Sequence, residues 1–406
     1  MPLKRRGSML AGLLVLGLAG SSVSAADLKE AMDRGTRWLT GKQNPDGGYG
    51  PYGEFRVKNT SDVGITAFVL YAIAKNPRGY KAADGPFVSR AVDFLLSRQQ
   101  PDGGFYDTKD PTLQNYKTSV VVLALNTLDR AKYAGPIGKA QAFIKGQQFD
   151  SAQGYREDEH LAFGGVGYGS GLRPDNSNSH LGAEAQKESG LSGSDEFWKP
   201  LVVFVTRTLN SETVDPLLKE LNIGTTGDGG ARYAPGETRG PEETLDNGVR
   251  VFSSYGSMTY AALKTLLYAG VDRNDPRVKG AFAWISRNFT VRENPGMATP
   301  ANPKAGLHGL YYYYHTMAKT LAVYGEAVIK DSKGVEHDWA KELSEHLLSI
   351  QHPDGFWQNT SDRWYENIPE LDTAYALVAL SECQGQISKA ARAASPEPSP
   401  GPAKGK

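Results

Sequence analysis

Gln43-Asn44-Pro45-Asp46-Gly47-Gly48-Tyr49 decides the reading of this chain, because it comes back. It returns as Gln99-Gln100-Pro101-Asp102-Gly103-Gly104-Phe105 and as Gln351-His352-Pro353-Asp354-Gly355-Phe356-Trp357. Looser copies are Gly227-Asp228-Gly229-Gly230-Ala231-Arg232-Tyr233 and Phe163-Gly164-Gly165-Val166-Gly167-Tyr168. With Asp46, Asp102, Gly165, Asp228 and Asp354 as markers, the steps are 56, 63, 63 and 126 residues. The last is twice 63 and predicts a degenerate copy near residue 291, where Asn288–Pro295 (NFTVRENP) reads as a turn. Six units result. A period near sixty exceeds the roughly 34–47 residues of the common helical solenoids.

Each unit has one internal grammar. An amphipathic helix precedes the turn: Phe87, Val88, Ala91, Val92, Leu95 and Leu96 fall on one helical face. Val278, Ala281, Phe282 and Ile285 repeat that stripe, as do Trp339, Leu343, Leu347 and Ile350. Pro86, Pro136, Pro200 and Pro276 open such helices, where a missing N–H costs nothing. A second helix follows the turn and is apolar around most of its circumference, as in residues 65–74, 118–128, 258–269 and 373–380. A helix apolar on all sides belongs inside. The pattern predicts an all-α fold of six outer–inner pairs, closed into an (α/α)6 toroid. The glutamines and aspartates of the turns read as hydrogen-bonding rivets between repeats, not as chemistry.

The 406 residues carry 45 basic and 45 acidic side chains, one cysteine and 39% hydrophobic residues. This excludes a disordered chain, an intramolecular disulfide framework and a Cys-rich zinc module. Balanced charge gives no footprint for nucleic acid. Residues 1–25 read as a signal peptide, with Lys4-Arg5-Arg6, an apolar stretch from Met9 to Ala19, and Val23-Ser24-Ala25 as cleavage site. That stretch is about half the ~20 residues of a spanning helix, so export with no remaining transmembrane segment is expected. The toroid is assigned to 26–387. Residues 388–406, ending in Ser395–Lys406 (SPEPSPGPAKGK), are expected to be a disordered tail.

The turn motif resembles the repeats of squalene–hopene cyclases and protein prenyltransferase β subunits, over about residues 30–385. The resemblance implies an α/α toroid with a central, aromatic-lined cavity. It also singles out two residues. Cyclases of this kind protonate an alkene from an Asp-x-Asp-Asp-Thr-Ala segment, and Pro369-Glu370-Leu371-Asp372-Thr373-Ala374 is similar to it. Asp372 matches the last aspartate, while Leu371 stands where the proton donor belongs. Tyr314-His315-Thr316 resembles the segment carrying the zinc-ligating histidine of the prenyltransferases. The preceding inner helix reads Tyr255-Gly256-Ser257 where their Asp-x-Cys would stand, so no zinc or other metal and no cofactor is expected. Asp372 and His315 are thus the candidate catalytic residues.

Tyr311–Tyr314 are four consecutive tyrosines, of which only one or two can face a cavity from a helix. Tyr255, Tyr260, Tyr311, Tyr314 and Trp364 are expected to line an apolar pocket that grips a polyprenyl chain or steadies a cation. Three functions follow as expectations: an isoprenoid-binding cyclase or transferase, a non-catalytic binding or scaffold toroid, and an envelope polysaccharide lyase or hydrolase. The expected partner is an isoprenoid or other apolar small molecule. Sequence identifies no protein partner.

Overall fold

A computed structural model describes residues 24–51, 61–169 and 171–394. The expected leader, through residue 23, and the last twelve residues of the expected tail lie outside them. The described residues form thirteen α-helices: α1 (Ala25–Thr40), α2 (Val63–Lys75), α3 (Pro86–Leu96), α4 (Gln114–Asp129), α5 (Ala134–Gly146), α6 (Asn176–Glu188), α7 (Trp198–Thr208), α8 (Pro216–Glu220), α9 (Gly256–Tyr268), α10 (Pro276–Arg287), α11 (Leu310–Tyr324), α12 (Trp339–Ser349) and α13 (Pro369–Ala394). Two short hairpins, β1–β2 (Glu242–Thr244 with Arg250–Phe252) and β3–β4 (Val328–Lys330 with Glu336–Asp338), interrupt the helical pattern. No helix among the described residues is long and apolar enough to cross a membrane.

Six helices form the inner ring. Helix α2 packs on α4, α4 on α6, α6 on α9, α9 on α11, α11 on α13, and α13 back on α2. The outer helices α1, α3, α5, α7, α10 and α12 lie against them. The expected six-pair toroid is what the chain builds. Its energy comes mainly from the ring: Val120 to Leu125 of α4 are fully buried, as are Ala67 and Val69 to Ile73 of α2. Each such Val, Leu or Ile contributes roughly 1.5–3 kcal/mol relative to an exposed side chain.

The turns work as rivets. Gln43 Nε2 donates to the Gly47 carbonyl of its own turn and to the Phe87 carbonyl of α3, both at 2.8 Å. Gln99 does the same toward Gly103 and Pro136 of α5, and Gln148 toward Gly164 and Phe197. Asp46 accepts from the Gly48 N–H at 3.0 Å, and Asp102 from the Gly104 N–H at 2.9 Å. The next residue's N–H then reaches an inner-helix hydroxyl, Tyr49 to Thr66 and Phe105 to Thr118 at 2.8 Å, Trp357 to Thr373 at 3.0 Å. Gly47 has φ +92°, and a Cβ there would stand 2.5 Å from the Arg90 carbonyl of α3. The turn can press on the next outer helix only because that Cβ is missing.

Two expectations need correction. Residues 388–394 are not tail: α13 runs on to Ala394. Inner helices are not all apolar, since α6 buries Asn176, Asn178, Ser179, His180, Glu184 and Gln186. The reason is a charge cluster that fills the ring below its first turns. Lys319 of α11 contacts Glu184 at 2.8 Å and Glu188 at 2.6 Å, while Lys264 of α9 pairs with Glu184. Lys75 of α2 pairs with Glu382 of α13 at 2.6 Å. Buried charges are tolerated when paired this way.

Candidate functional site: an aromatic cavity at the head of the inner ring

With the lower half of the ring filled by ion pairs, the upper half stays open. A cavity of about 690 Å³ is lined by the first turns of all six inner helices and by the loops above them. Phe68 of α2, Tyr116 of α4, Tyr312 of α11 and Tyr375 of α13 supply one aromatic wall. Tyr168, Tyr233 and Tyr255 supply another, with Ser177 of α6 and Met258 of α9 between. Trp364 and Tyr365 stand at the entrance, 40% and 47% exposed, on backbone with φ of +57° and +68°.

Polar groups punctuate this lining. Lys117 is buried beside two carboxylates, 3.1 Å from Asp110 and 3.6 Å from Asp62, which also caps α2. Arg239 lies over the Tyr233 ring at 4.2 Å and pairs with Glu237 at 2.7 Å. The Tyr233 hydroxyl donates to the buried Asp175 carboxylate at 2.9 Å. Tyr116 and Tyr375 share a hydroxyl–hydroxyl bond of 2.9 Å.

Glu366 is the lining carboxyl with the most unusual setting. It is 1% exposed. It accepts from the N–H groups of Tyr312 at 2.8 Å and Tyr311 at 3.2 Å, the first turn of α11, and from Asn359 Nδ2 at 2.7 Å. Burial outweighs those donors and pushes its carboxyl up to about 7. Asn359 also donates its backbone N–H to Asp372 Oδ2 at 2.7 Å, so one asparagine bridges two carboxyls. Asp372 is fully buried, with Oδ1 lacking a partner among the described residues. Burial and the neighbouring Glu366 hold its carboxyl well above the ordinary range. Burial thus works against the charged form of both carboxyls.

The expected residues distribute unevenly around this cavity. Tyr255 and Trp364 line it. Tyr260, Tyr311 and Tyr314 do not: Tyr260 packs edge-on against Tyr313 at 5.7 Å, and Tyr311 against Tyr314 at 5.6 Å. The Tyr314 hydroxyl donates outward to the Val291 carbonyl at 3.1 Å, in the degenerate turn expected near 291. Of the four tyrosines, Tyr312 is the one that faces the cavity. Asp372 sits behind the wall that Leu371 completes. His315 is fully buried behind Phe68, Tyr312 and Tyr375, with neither ring nitrogen partnered among the described residues. Burial lowers its imidazole to about 3, so it stays neutral. No group of three His, Cys, Asp or Glu among the described residues is placed to hold a metal ion.

Tyr116, Tyr168, Tyr233, Arg239 and Glu366 were missed by the sequence reading. Most sit in loops between an outer helix and the inner helix that follows it, outside the helical periodicity that guided it.

No family model matches the chain. A drimenyl diphosphate synthase of Streptomyces showdoensis is 34% identical over 98 residues, 24% of this chain and 17% of that enzyme. The chain thus spans under a fifth of the curated relative it matches. Among solved structures, type II terpene cyclase MstE from Scytonema, bound to its product merosterolic acid A, superposes with a TM-score of 0.55 at 14% identity, covering 89% of this chain and 98% of MstE. Another MstE structure holds its substrate, geranylgeranyl dihydroxybenzoate. An unsaturated glucuronyl hydrolase specific for heparin matches equally well, TM-score 0.55 at 11% identity over 90% and 99% of the two chains. The chain has a terpenoid-cyclase-like α/α-toroid fold.

Proposed function

We propose that the cavity holds an isoprenoid chain and that the Asp372–Glu366 pair starts its cyclisation or isomerisation by protonating an alkene. The observation that carries this reading is a cavity ringed by Phe68, Tyr116, Tyr312 and Tyr375, with the buried Glu366 carboxyl in its wall bridged through Asn359 to Asp372 behind it. In the step, a carboxyl O–H bond breaks, the alkene π pair takes the proton, and the pair gains one negative charge. Aromatic faces then steady the cation. Glu366 is the member that reaches the cavity, with Asp372 behind it. The fold shared with a cyclase of a geranylgeranyl substrate supports the reading.

A non-catalytic binding toroid is the second reading, favoured by Leu371, which lines the cavity one residue before Asp372. Native mass spectrometry of the full chain from its own host, paired with product analysis on polyprenyl substrates, separates the two. Turnover that Glu366→Gln abolishes supports catalysis, whereas bound lipid without product supports the binder. Neither lipid nor product would sink both.

We also propose export of the chain, supported by Lys4-Arg5-Arg6 and the short apolar stretch. N-terminal sequencing should find a mature start near Ala26, and Met1 retained on exported protein would refute it.

A further inference from the structure

Glu366 is not carried by the ring itself. It belongs to residues 359–368, the segment between the sixth turn and α13, and Trp364 and Tyr365 of the same segment stand at the cavity entrance. Those two successive residues are both left-handed, a conformation that bulky side chains rarely adopt and that persists only where the surroundings impose it. The imposing contacts lie on the loop before α11. A Cβ at Gly309 would stand 2.9 Å from the Trp364 ring, so the indole rests directly on backbone. The Arg363 guanidinium lies over that ring at 5.2 Å, and His308 meets it edge-on at 6.3 Å. Just beyond the indole, the Glu366 carboxylate accepts from Tyr311 and Tyr312, just beyond Gly309. The base of the segment is held separately. Asn359 donates its Nδ2 to the Leu307 carbonyl at 2.7 Å and its N–H to Asp372.

We propose that residues 360–367 form a lid over the cavity, and that seating Trp364 on Gly309 is what brings Glu366 into place. This rests on the cyclase reading above for what Glu366 does once placed, but not for the motion. With the lid raised, the entrance is open and an isoprenoid chain enters past a wall that lacks its carboxyl. Lowering the lid excludes water and delivers Glu366 to the first turn of α11 in one movement. That order suits cation chemistry, because the acid meets the alkene only in a closed cavity. The left-handed pair keeps the lid from locking: Trp364 and Tyr365 relax to ordinary backbone when the indole leaves its seat. Thr360 and Ser361, small residues just past the anchored Asn359, are where the chain bends. Trp364 and Gly309 are positioning residues, acting on the chemistry through Glu366.

Hydrogen exchange of the full chain, read residue by residue, tests this, because the Tyr311 and Tyr312 amides are bonded to Glu366 and report its seating. In Trp364→Ala these two amides should exchange about tenfold faster or more, while residues 316–322 of α11 and 374–380 of α13 keep their wild-type rates. A general loss of stability would move all of them together. Trp364→Phe, which leaves a ring on Gly309, should restore most of the protection. Turnover of geranylgeraniol and squalene is measured on the same three proteins and should fall and recover with the seating. Unchanged exchange of Tyr311 and Tyr312 in Trp364→Ala overturns the lid, and turnover by the wild type then leaves the cyclase reading standing. Faster exchange in that variant, with neither substrate converted by the wild type, supports the lid and overturns the acid role of Glu366.

Discussion

Gln351 Nε2 donates to the Ala31 carbonyl at 2.9 Å, tying the end of α12 to α1 across 320 residues of chain. The same amide reaches the Gly355 carbonyl at 2.7 Å, as Gln43 and Gln99 do in their own turns. The last repeat thus meets the first through the device that joins the others. Gln351→Ala leaves both carbonyls short of a donor and should cost about 1–3 kcal/mol in chemical denaturation. A cost near zero would show that the ring closes on helix packing alone.

Gly47 and Gly355 face the same constraint. Gly355 has φ +102°, and a Cβ there would stand 2.8 Å from the Arg34 carbonyl of α1. Alanine at either position should destabilise by roughly 1–3 kcal/mol, through positive φ and the backbone clash together. Alanine at Gly138, where a Cβ meets nothing within 4 Å, should be neutral or slightly stabilising. Melting curves of the three variants decide it.

The ionic cluster should punish single changes. Burial pushes the Glu184 carboxyl up, but Lys264 and Lys319 outweigh this and hold it well below the ordinary range. Glu184→Gln leaves Lys264 buried without a carboxylate and Lys319 with one fewer. A loss of about 3–5 kcal/mol is expected. Lys264→Met in the same chain should recover part of that loss, and a double-mutant cycle measures how much.

Glu366 and His315 should tilt the pH dependence of stability in opposite directions. Glu366 rises from 4.5 to about 7 on folding, so its contribution is fully present below 4.5 and is lost as pH rises toward 7. His315 falls from 6.5 to about 3, so its contribution is present above 6.5 and is lost as pH falls toward 3. Glu366→Gln should therefore flatten the decline between 4.5 and 7, and His315→Phe the decline below 6.5. Denaturant midpoints measured across pH 4 to 8 check both signs.

Asp372→Asn addresses the residue that sequence marked first. Asparagine keeps an oxygen for the Asn359 N–H but has no acidic proton. On the cyclase reading, turnover is lost while melting stays within about 1 kcal/mol of wild type. Turnover surviving the change would assign the acid to Glu366 alone.

What the amino-acid sequence determined by itself was the local, repeating part. The Gln–Asp–Gly turns recur because each makes the same short-range hydrogen bonds beside the same close backbone approach. Their period of about sixty residues was therefore enough to count helix pairs and to read Gln43, Gln99 and Gln351 as rivets. What tertiary structure alone decided was rotation and partnership. Successive helical residues turn by about 100°, so which of four tyrosines faces the cavity depends on how α11 seats between α9 and α13, and the answer is Tyr312. Helix α6 looks too polar for an inner position until Lys264, 80 residues beyond Glu184, is brought against it. Glu366 lies in an irregular loop, and only the first turn of α11 and the bridge through Asn359 give its carboxyl the burial and hydrogen bonds that change its chemistry.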